Sequence, residues 1–505
     1  MGESRTQNSK KNIIASYYKQ IISLVFQFVS RTVFIYTLGA TYLGMGSLFK
    51  NILQFLSLAD LGFTTAMAYS YYKPLAENDQ DRIAALVNFY KSVYNIIASV
   101  ILALGLCCIP FLKYLINTDT NIPYVTIYYI FYLLNTVVGY LCVYKTTLLT
   151  AAQKGYILTR IQLVVNVVIT VVQIICLLLF KNYILYLVIQ VIGTLLQNIY
   201  PSMKVDKLFP YIKKKSYLDV QEKASMFKNI KAVFIYKVSS KLVTSTDNIL
   251  ISMLVGTTVV GYYSNYYMII DSITLLVTAI FTSLTASVGN MLASKDVSEE
   301  RQFQVFKIEQ TAAGMISVFT VVCFAIMAND FICLWLGKSF VLDTVTVWAI
   351  ALNFFLTCYF QPLWSFREAS GLYRQTRYVN VATAAVNVIL SVALGLKFGI
   401  AGILVATPIA KLATYFWYEP PLLYRTYFKA SPGSYYKKIV LTVATIAAVS
   451  MLSLFCTKNL VIDSWLMWFV KAVIVGSIAC IGALVSFGWT SEFRALLNKF
   501  LIRRK

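Results

Sequence analysis

"LGATYLGMGSLFKNILQFLSLADLGF", residues 38–63, is apolar for long enough to cross a bilayer as a helix, yet it holds Lys50 and Asp60 within that length. A hydrocarbon core about 30 Å thick takes about 20 helical residues. Ionisable groups at that depth are costly, and they mark substrate paths, relays or buried pairs. The same kind of run recurs from end to end of the chain. Of its 505 residues 59% are hydrophobic, 15% aromatic and only 13% charged, where a soluble protein carries roughly 25% charged residues. The mean hydropathy is +0.69. This is the composition of an all-α polytopic membrane protein. Arg5, Lys10 and Lys11 precede the first run as they would in a signal peptide. Gln27 and Arg31 inside the run, and the lack of a small-residue cleavage site, favour a retained anchor.

A 20-residue criterion gives about fourteen spans. They lie near 13–38, 42–70, 90–116, 122–147, 156–180, 183–204, 230–255, 258–288, 306–328, 342–366, 375–397, 399–424, 437–456 and 464–488. The expected organisation is an N-terminal lobe of six spans over 1–204, a basic linker over 205–229, a second six-span lobe over 230–426, and two further spans with a tail over 427–505. With the N-terminus inside, Lys113, Lys181, Lys338, Lys397 and Lys458 fall in outer connections and most other Lys and Arg in inner ones. By the positive-inside rule both termini are cytoplasmic. The net charge of +23 then tracks topology and anionic lipid headgroups and calls for no nucleic acid. The run Lys213-Lys214-Lys215 reads as a solvated part of the linker.

A repeat is visible. "LGATYLG" at 38–44 and "VGTTVVG" at 255–261 each close an odd-numbered span, with Gly44 and Gly261 set 217 residues apart. Six spans separate the copies, so the two lobes share one orientation, as parallel repeats about an axis along the membrane normal do. Polar residues fall in stripes at helical spacing on the leading spans of both lobes. Gln20, Ser23, Gln27 and Arg31 form one; Lys50, Gln54, Ser57 and Asp60, with Asn51 beside them, form another. Lys237, Ser240, Lys241, Thr244 and Asn248 follow on the seventh span, with Asp247 adjacent, and Asn265, Asp271, Ser272 and Thr278 on the eighth. Arg31, Lys50, Lys237 and Lys241, with Gln27, Asn51 and Gln54, are the candidate lining of a central substrate cavity. Asp247 and Asp271 are candidate charge partners or ion-coupling sites. Asp60, beside Gly62 near the inner end, reads as a structural group. Lys19, Lys91, Lys411 and Lys471 read as snorkelling or paired residues near span ends.

"YLGMGSLFKNILQFLSLADLGF" at 42–63, followed by "YKPLAENDQDRIAAL" at 72–86, resembles the second span and first inner loop of bacterial polysaccharide-unit flippases. "DFICLWLGKSFV" at 330–341 and "FREASGLYRQTRY" at 366–378 resemble later turns of the same superfamily, the multidrug/oligosaccharidyl-lipid/polysaccharide exporters. The resemblance covers essentially the whole chain. It implies a V-shaped pair of lobes in the bacterial cytoplasmic membrane that alternates access and turns over undecaprenyl-diphosphate-linked oligosaccharides. It also implies a cationic cavity lined by the first, second, seventh and eighth spans, and polysaccharide polymerase and glycosyltransferases as neighbours in assembly.

Enzymatic readings are weaker. The chain has no His, the commonest general base and metal ligand. Its nine Cys lie in or beside spans with no C-x-x-C, which reads as apolar packing, so no metal and no cofactor are expected. No phosphate-binding G-x-x-x-x-G-K-[ST] occurs. A polymerase or glycosyltransferase acting outside would need a larger external loop than the short outer connections supply. A cation-coupled multidrug antiporter is the alternative; it would present carboxylates to cationic substrates, whereas basic residues outnumber acidic ones in the candidate cavity.

Overall fold

The computed structural model describes residues 5–57, 63–118, 122–219, 221–223, 246–293, 297–370 and 372–502. Among the described residues the regular structure is helical. Among the described residues ten helices are long and apolar enough to cross a membrane, and eleven when the bent pair Val125–Tyr140 and Val143–Ala151 counts as one span. The chain is therefore a multi-pass membrane protein. The described residues do not confirm the expected count of about fourteen, for traceable reasons. Predicted spans 375–397 and 399–424 lie in one segment, Tyr378–Phe428, parted where Gly399 adopts φ +60°, a conformation that L side chains rarely adopt. Predicted spans 42–70 and 230–255 include residues outside those described, Asp60, Lys237 and Lys241 among them.

Two compact units are present, residues 1–261 and 262–505. The longer helices of the first are α1 (Arg5–Leu38), α2 (Ala40–Leu56), α3 (Phe63–Glu77), α4 (Gln80–Cys107), α5 (Val125–Tyr140), α6 (Val143–Ala151), α7 (Gly155–Phe180), α8 (Tyr183–Leu208) and α9 (Asp247–Leu254). The division falls inside α10 (Thr257–Ala293). Side-chain caps set where several helices begin: Asp79 accepts from the Arg82 N–H at 2.9 Å, and Asn182 from the Leu185 N–H at 3.1 Å. One core cluster joins Met45, Leu48 and Phe49 of α2 to Ile101 of α4, Tyr129 and Leu133 of α5 and Leu177 of α7. A second gathers Tyr71, Tyr90, Tyr94, Leu148 and Val205.

The basic stretch after α8 is not a free loop. Phe209, Ile212 and Leu218 are buried in that second cluster. Asn88 donates to the Lys214 carbonyl at 2.9 Å, and Lys214 and Arg82 pair with Asp81 and Glu222 at 2.6 and 2.8 Å. The apolar residues interleaved with the lysines fasten residues 209–218 to the start of α4, while Lys213, Lys214 and Lys215 themselves stay exposed, in keeping with their solvated reading.

The repeated heptads meet each other within the first unit. Thr41 Oγ1 lies 3.1 Å from Thr258 Oγ1, 217 residues along the chain. A Cβ on Gly44 would fall 1.9 Å from the Thr257 carbonyl oxygen, and one on Gly261 would fall 2.2 Å from that of Ala40. The same offset carries Ala40 to Thr257, Thr41 to Thr258 and Gly44 to Gly261. Each copy thus offers the other the same residues, the reciprocal form of a contact with local two-fold symmetry.

The second unit is built on α11 (Glu299–Leu336), with α12 (Thr344–Tyr359), α13 (Gln361–Ser370), α14 (Tyr373–Ala413), α15 (Tyr415–Leu423), α16 (Gly433–Thr457), α17 (Trp465–Phe487) and α18 (Ser491–Ile502). The C-terminal hairpin of α16 and α17 packs along α11. Lys471 pairs with Asp330 at 2.6 Å, while Glu492 lies 3.4 Å from Lys438 and 3.9 Å from Lys307. Burial pushes the Glu492 carboxyl up, but its own backbone N–H and the ammonium groups of Lys438 and Lys307 outweigh that, and the net direction is down. A buried ion pair joins Arg367 to Glu419.

Lys411 differs from its sequence reading. It lies 6% exposed, partway along Tyr378–Phe428, and donates to Asn353 Oδ1 at 2.7 Å and Thr357 Oγ1 at 2.9 Å. It is held by neutral oxygens inside the unit rather than snorkelling from a span end. Lys19, by contrast, reaches Gln162 Oε1 at 2.9 Å.

Candidate functional site

Within the first unit, α1, α2, α7 and α8, with Tyr132 of α5, enclose a cavity of about 450 Å³. That is within the range of roughly 300–1,000 Å³ usual for ligand pockets. Two lining glycines let its walls close. A Cβ on Gly46 would fall 2.5 Å from the Tyr132 hydroxyl, and one on Gly193 would fall 2.8 Å from Ile169. The lining follows helical periodicity on every wall. Ser23, Gln27, Ser30 and Arg31 come from α1, and Tyr42, Ser47 and Lys50 from α2. Asn166, Thr170 and Gln173 come from α7, and Tyr186, Gln190, Thr194 and Gln197 from α8.

Among the described residues, two cations, Arg31 and Lys50, share this cavity, and no carboxylate lines it. Lys50 is exposed to the cavity space. Part of the polar lining is fixed by internal bonds. Tyr186 is hydrogen-bonded to Ser30 and its ring packs edge-on against Phe34 at 5.3 Å. Gln173 donates to the Tyr186 carbonyl at 3.2 Å, the Thr194 hydroxyl donates to Asn135 Oδ1 at 2.6 Å, and the Tyr132 and Tyr183 hydroxyls meet at 3.0 Å. These bonds leave the cationic end preorganised between aromatic walls.

The structure brings Arg31, Lys50 and Gln27 together on the cavity wall. Asn51 turns its amide to the Ser47 carbonyl at 2.8 Å, and Gln54 is exposed; neither is among the lining residues. Lys237 and Lys241 lie outside the described residues. Asp247 is buried at the start of α9, which packs on α2. Asp271 belongs to α10 in the second unit. The α7 and α8 walls were missed by the sequence reading, which followed charges. Their signal was present: 166, 170, 173 and 190, 194, 197 carry polar residues at the same helical spacing in otherwise apolar runs.

Fold and cavity together define a polytopic helical membrane protein with a polar chamber between its helices. The chain belongs to the family described as "Polysaccharide biosynthesis protein", whose model matches residues 9–288 and so covers every helix that lines the cavity. No curated protein sequence matches the chain. Among solved structures, a lipid II flippase MurJ in an inward closed conformation superposes with a TM-score of 0.65 at 15% identity, over 94% of this chain and 98% of that one. An inward-facing multidrug resistance MATE family transporter of the MOP superfamily matches with a TM-score of 0.57 at 14% identity, over 78% and 93%. A MOP superfamily transporter from Pyrococcus furiosus matches with a TM-score of 0.56 at 13% identity, over 85% and 98%. At these identities the likeness is one of fold.

Proposed function

We propose that the protein is a flippase, not an enzyme, which moves undecaprenyl-diphosphate-linked oligosaccharide units across the bacterial cytoplasmic membrane by alternating access, for cell-surface polysaccharide assembly. The observation that carries this reading is the cavity holding Arg31 and Lys50 with no carboxylate among the described residues that line it. A lipid diphosphate is anionic. An Arg fork binds phosphate oxygens in pairs and a Lys supplies a point charge, both stronger where water is scarce. Membership of a polysaccharide biosynthesis family and the fold likeness to a lipid II flippase support the same substrate class. In this reading the repeat halves, 13–204 and 230–424, act as two lobes, with 427–505 carried by the second and both termini cytoplasmic. Lys237 and Lys241 belong, on this reading, to the same set of substrate-binding cations. Asp247 and Asp271 balance the cations while the path is empty, or exchange a coupling ion.

The multidrug-antiporter alternative, also consistent with the fold, predicts the opposite ligand charge. A ligand that binds only the folded state raises the melting temperature by mass action. Undecaprenyl diphosphate should therefore raise the melting temperature of the purified protein, and a hydrophobic organic cation such as ethidium should not. Protection by ethidium alone would decide for the antiporter.

A further inference from the structure

The same cavity contains more polar groups than a diphosphate needs. Gln27, Asn166, Gln190 and Gln197 line it, and among the described residues these four carboxamides have no hydrogen-bond partner in the protein. Each offers two N–H donors and a carbonyl acceptor. Polar side chains at membrane depth are normally bonded to protein or ordered water; here, on three different helices, they face one space. A ligand that satisfies them must both accept and donate hydrogen bonds many times over. An alkyl chain cannot, and phosphate oxygens at neutral pH chiefly accept.

Two of them, Asn166 and Gln197, lie at a level of their own. The connections Leu38–Ala40 and Phe180–Tyr183 are short enough to keep those four helix ends together. At a rise of about 1.5 Å per residue, Arg31 lies about 10 Å from that end and Lys50 about 15 Å. Gln27 lies about 16 Å from it and Asn166 and Gln197 about 21 Å, with Gln190 level with Arg31. Asn166 and Gln197 thus continue the cavity about 6 Å beyond Lys50 and about 10 Å beyond Arg31, the reach of one sugar ring attached to a diphosphate, while Gln27 and Gln190 stand beside the cations.

Resting on the flippase reading, we infer that Asn166, Gln190 and Gln197, with Gln27, form a subsite for the sugar attached directly to the lipid diphosphate, and that this sugar is uncharged and bears hydroxyl or acetamido groups. A hydroxyl or acetamido group both donates and accepts, matching the carboxamides atom for atom. With no carboxylate among the described lining residues, none of them selects an amino sugar carrying a free ammonium group. Aromatic neighbours Phe26 and Tyr132 supply faces for the apolar side of a pyranose.

Binding of two probes to the full-length protein in nanodiscs tests this: undecaprenyl diphosphate, and the same lipid carrying one N-acetylglucosamine. The wild type should bind the glycolipid about 10-fold more tightly than the bare lipid, the value of a few net hydrogen bonds. Asn166→Leu and Gln197→Leu, singly and combined, should erase that difference while leaving affinity for the bare lipid within about 2-fold. The single variants keep the test open if the combined one does not fold. An undiminished preference for the glycolipid in the variants, equal losses for both probes, or no preference in the wild type would overturn the subsite. Failure of the wild type to bind either lipid would instead overturn the flippase reading on which it rests.

Discussion

Arg31→Ala should lower polysaccharide export about 100-fold while the protein remains folded and inserted. The side chain lines the cavity with Lys50, and losing a charge-assisted, paired contact to phosphate costs about 3 kcal/mol, or two decades in affinity. Arg31→Lys should fall between, since an ammonium keeps the charge but loses the planar fork. The check is complementation of export in a strain lacking the gene, normalised to the amount of protein in the membrane, alongside melting in detergent. A purely structural role predicts another pattern, in which export falls only as far as protein abundance and melting fall. Normal export by Arg31→Ala at normal abundance would remove Arg31 from the substrate path.

The second large effect is steric and is expected at the reciprocal seam. Gly44→Ala places a methyl carbon 1.9 Å from the Thr257 carbonyl oxygen, and Gly261→Ala places one 2.2 Å from that of Ala40. Both obstacles are backbone, so no rotamer change relieves them and the helices must separate. Separation also breaks the Thr41–Thr258 hydrogen bond. Overpacking of this kind costs about 1–3 kcal/mol. Each variant should melt several degrees below the wild type in detergent. The double variant should lose less than the combined single losses, because one displacement makes room for both methyls. Thr41→Val, which removes only the hydrogen bond, should cost about 1 kcal/mol. Unchanged melting of both alanine variants would mean the heptads do not approach as closely as described.

The sequence made the helical character legible because a span is a length of apolar residues, a local property. It also showed "LGATYLG" and "VGTTVVG" as a repeat, but not that the two copies touch: the shared glycines acquire that meaning only with the close approach of Gly44 and Gly261. Where helices break was less legible. Gly399 is one of several glycines in apolar sequence, and only its φ of +60° reveals that it parts two helical stretches. Lys411 read as a residue near a span end because its acceptors, Asn353 and Thr357, are contributed by α12, remote in sequence. Half of the cavity was found by following charge, which led to Arg31 and Lys50. The neutral half, Asn166, Gln190 and Gln197, was passed over because an isolated carboxamide in a span carries no sign of which neighbour it faces. In the linker the three consecutive lysines are exposed as read, but the anchoring role of Phe209, Ile212 and Leu218, which bury themselves, was passed over for a related reason.

The most direct measurement is translocation by the pure protein reconstituted in liposomes. An undecaprenyl-diphosphate-linked oligosaccharide is placed in both leaflets, and its outer-leaflet fraction is read by a glycan-modifying enzyme added outside. With the wild-type protein nearly all of the glycolipid should become accessible over time and be recovered with its diphosphate and glycosidic bonds intact. Arg31→Ala liposomes should leave about half of it protected. Protection of half the glycolipid by wild-type liposomes as well, or release of phosphate or free sugar by the pure protein, would contradict the account.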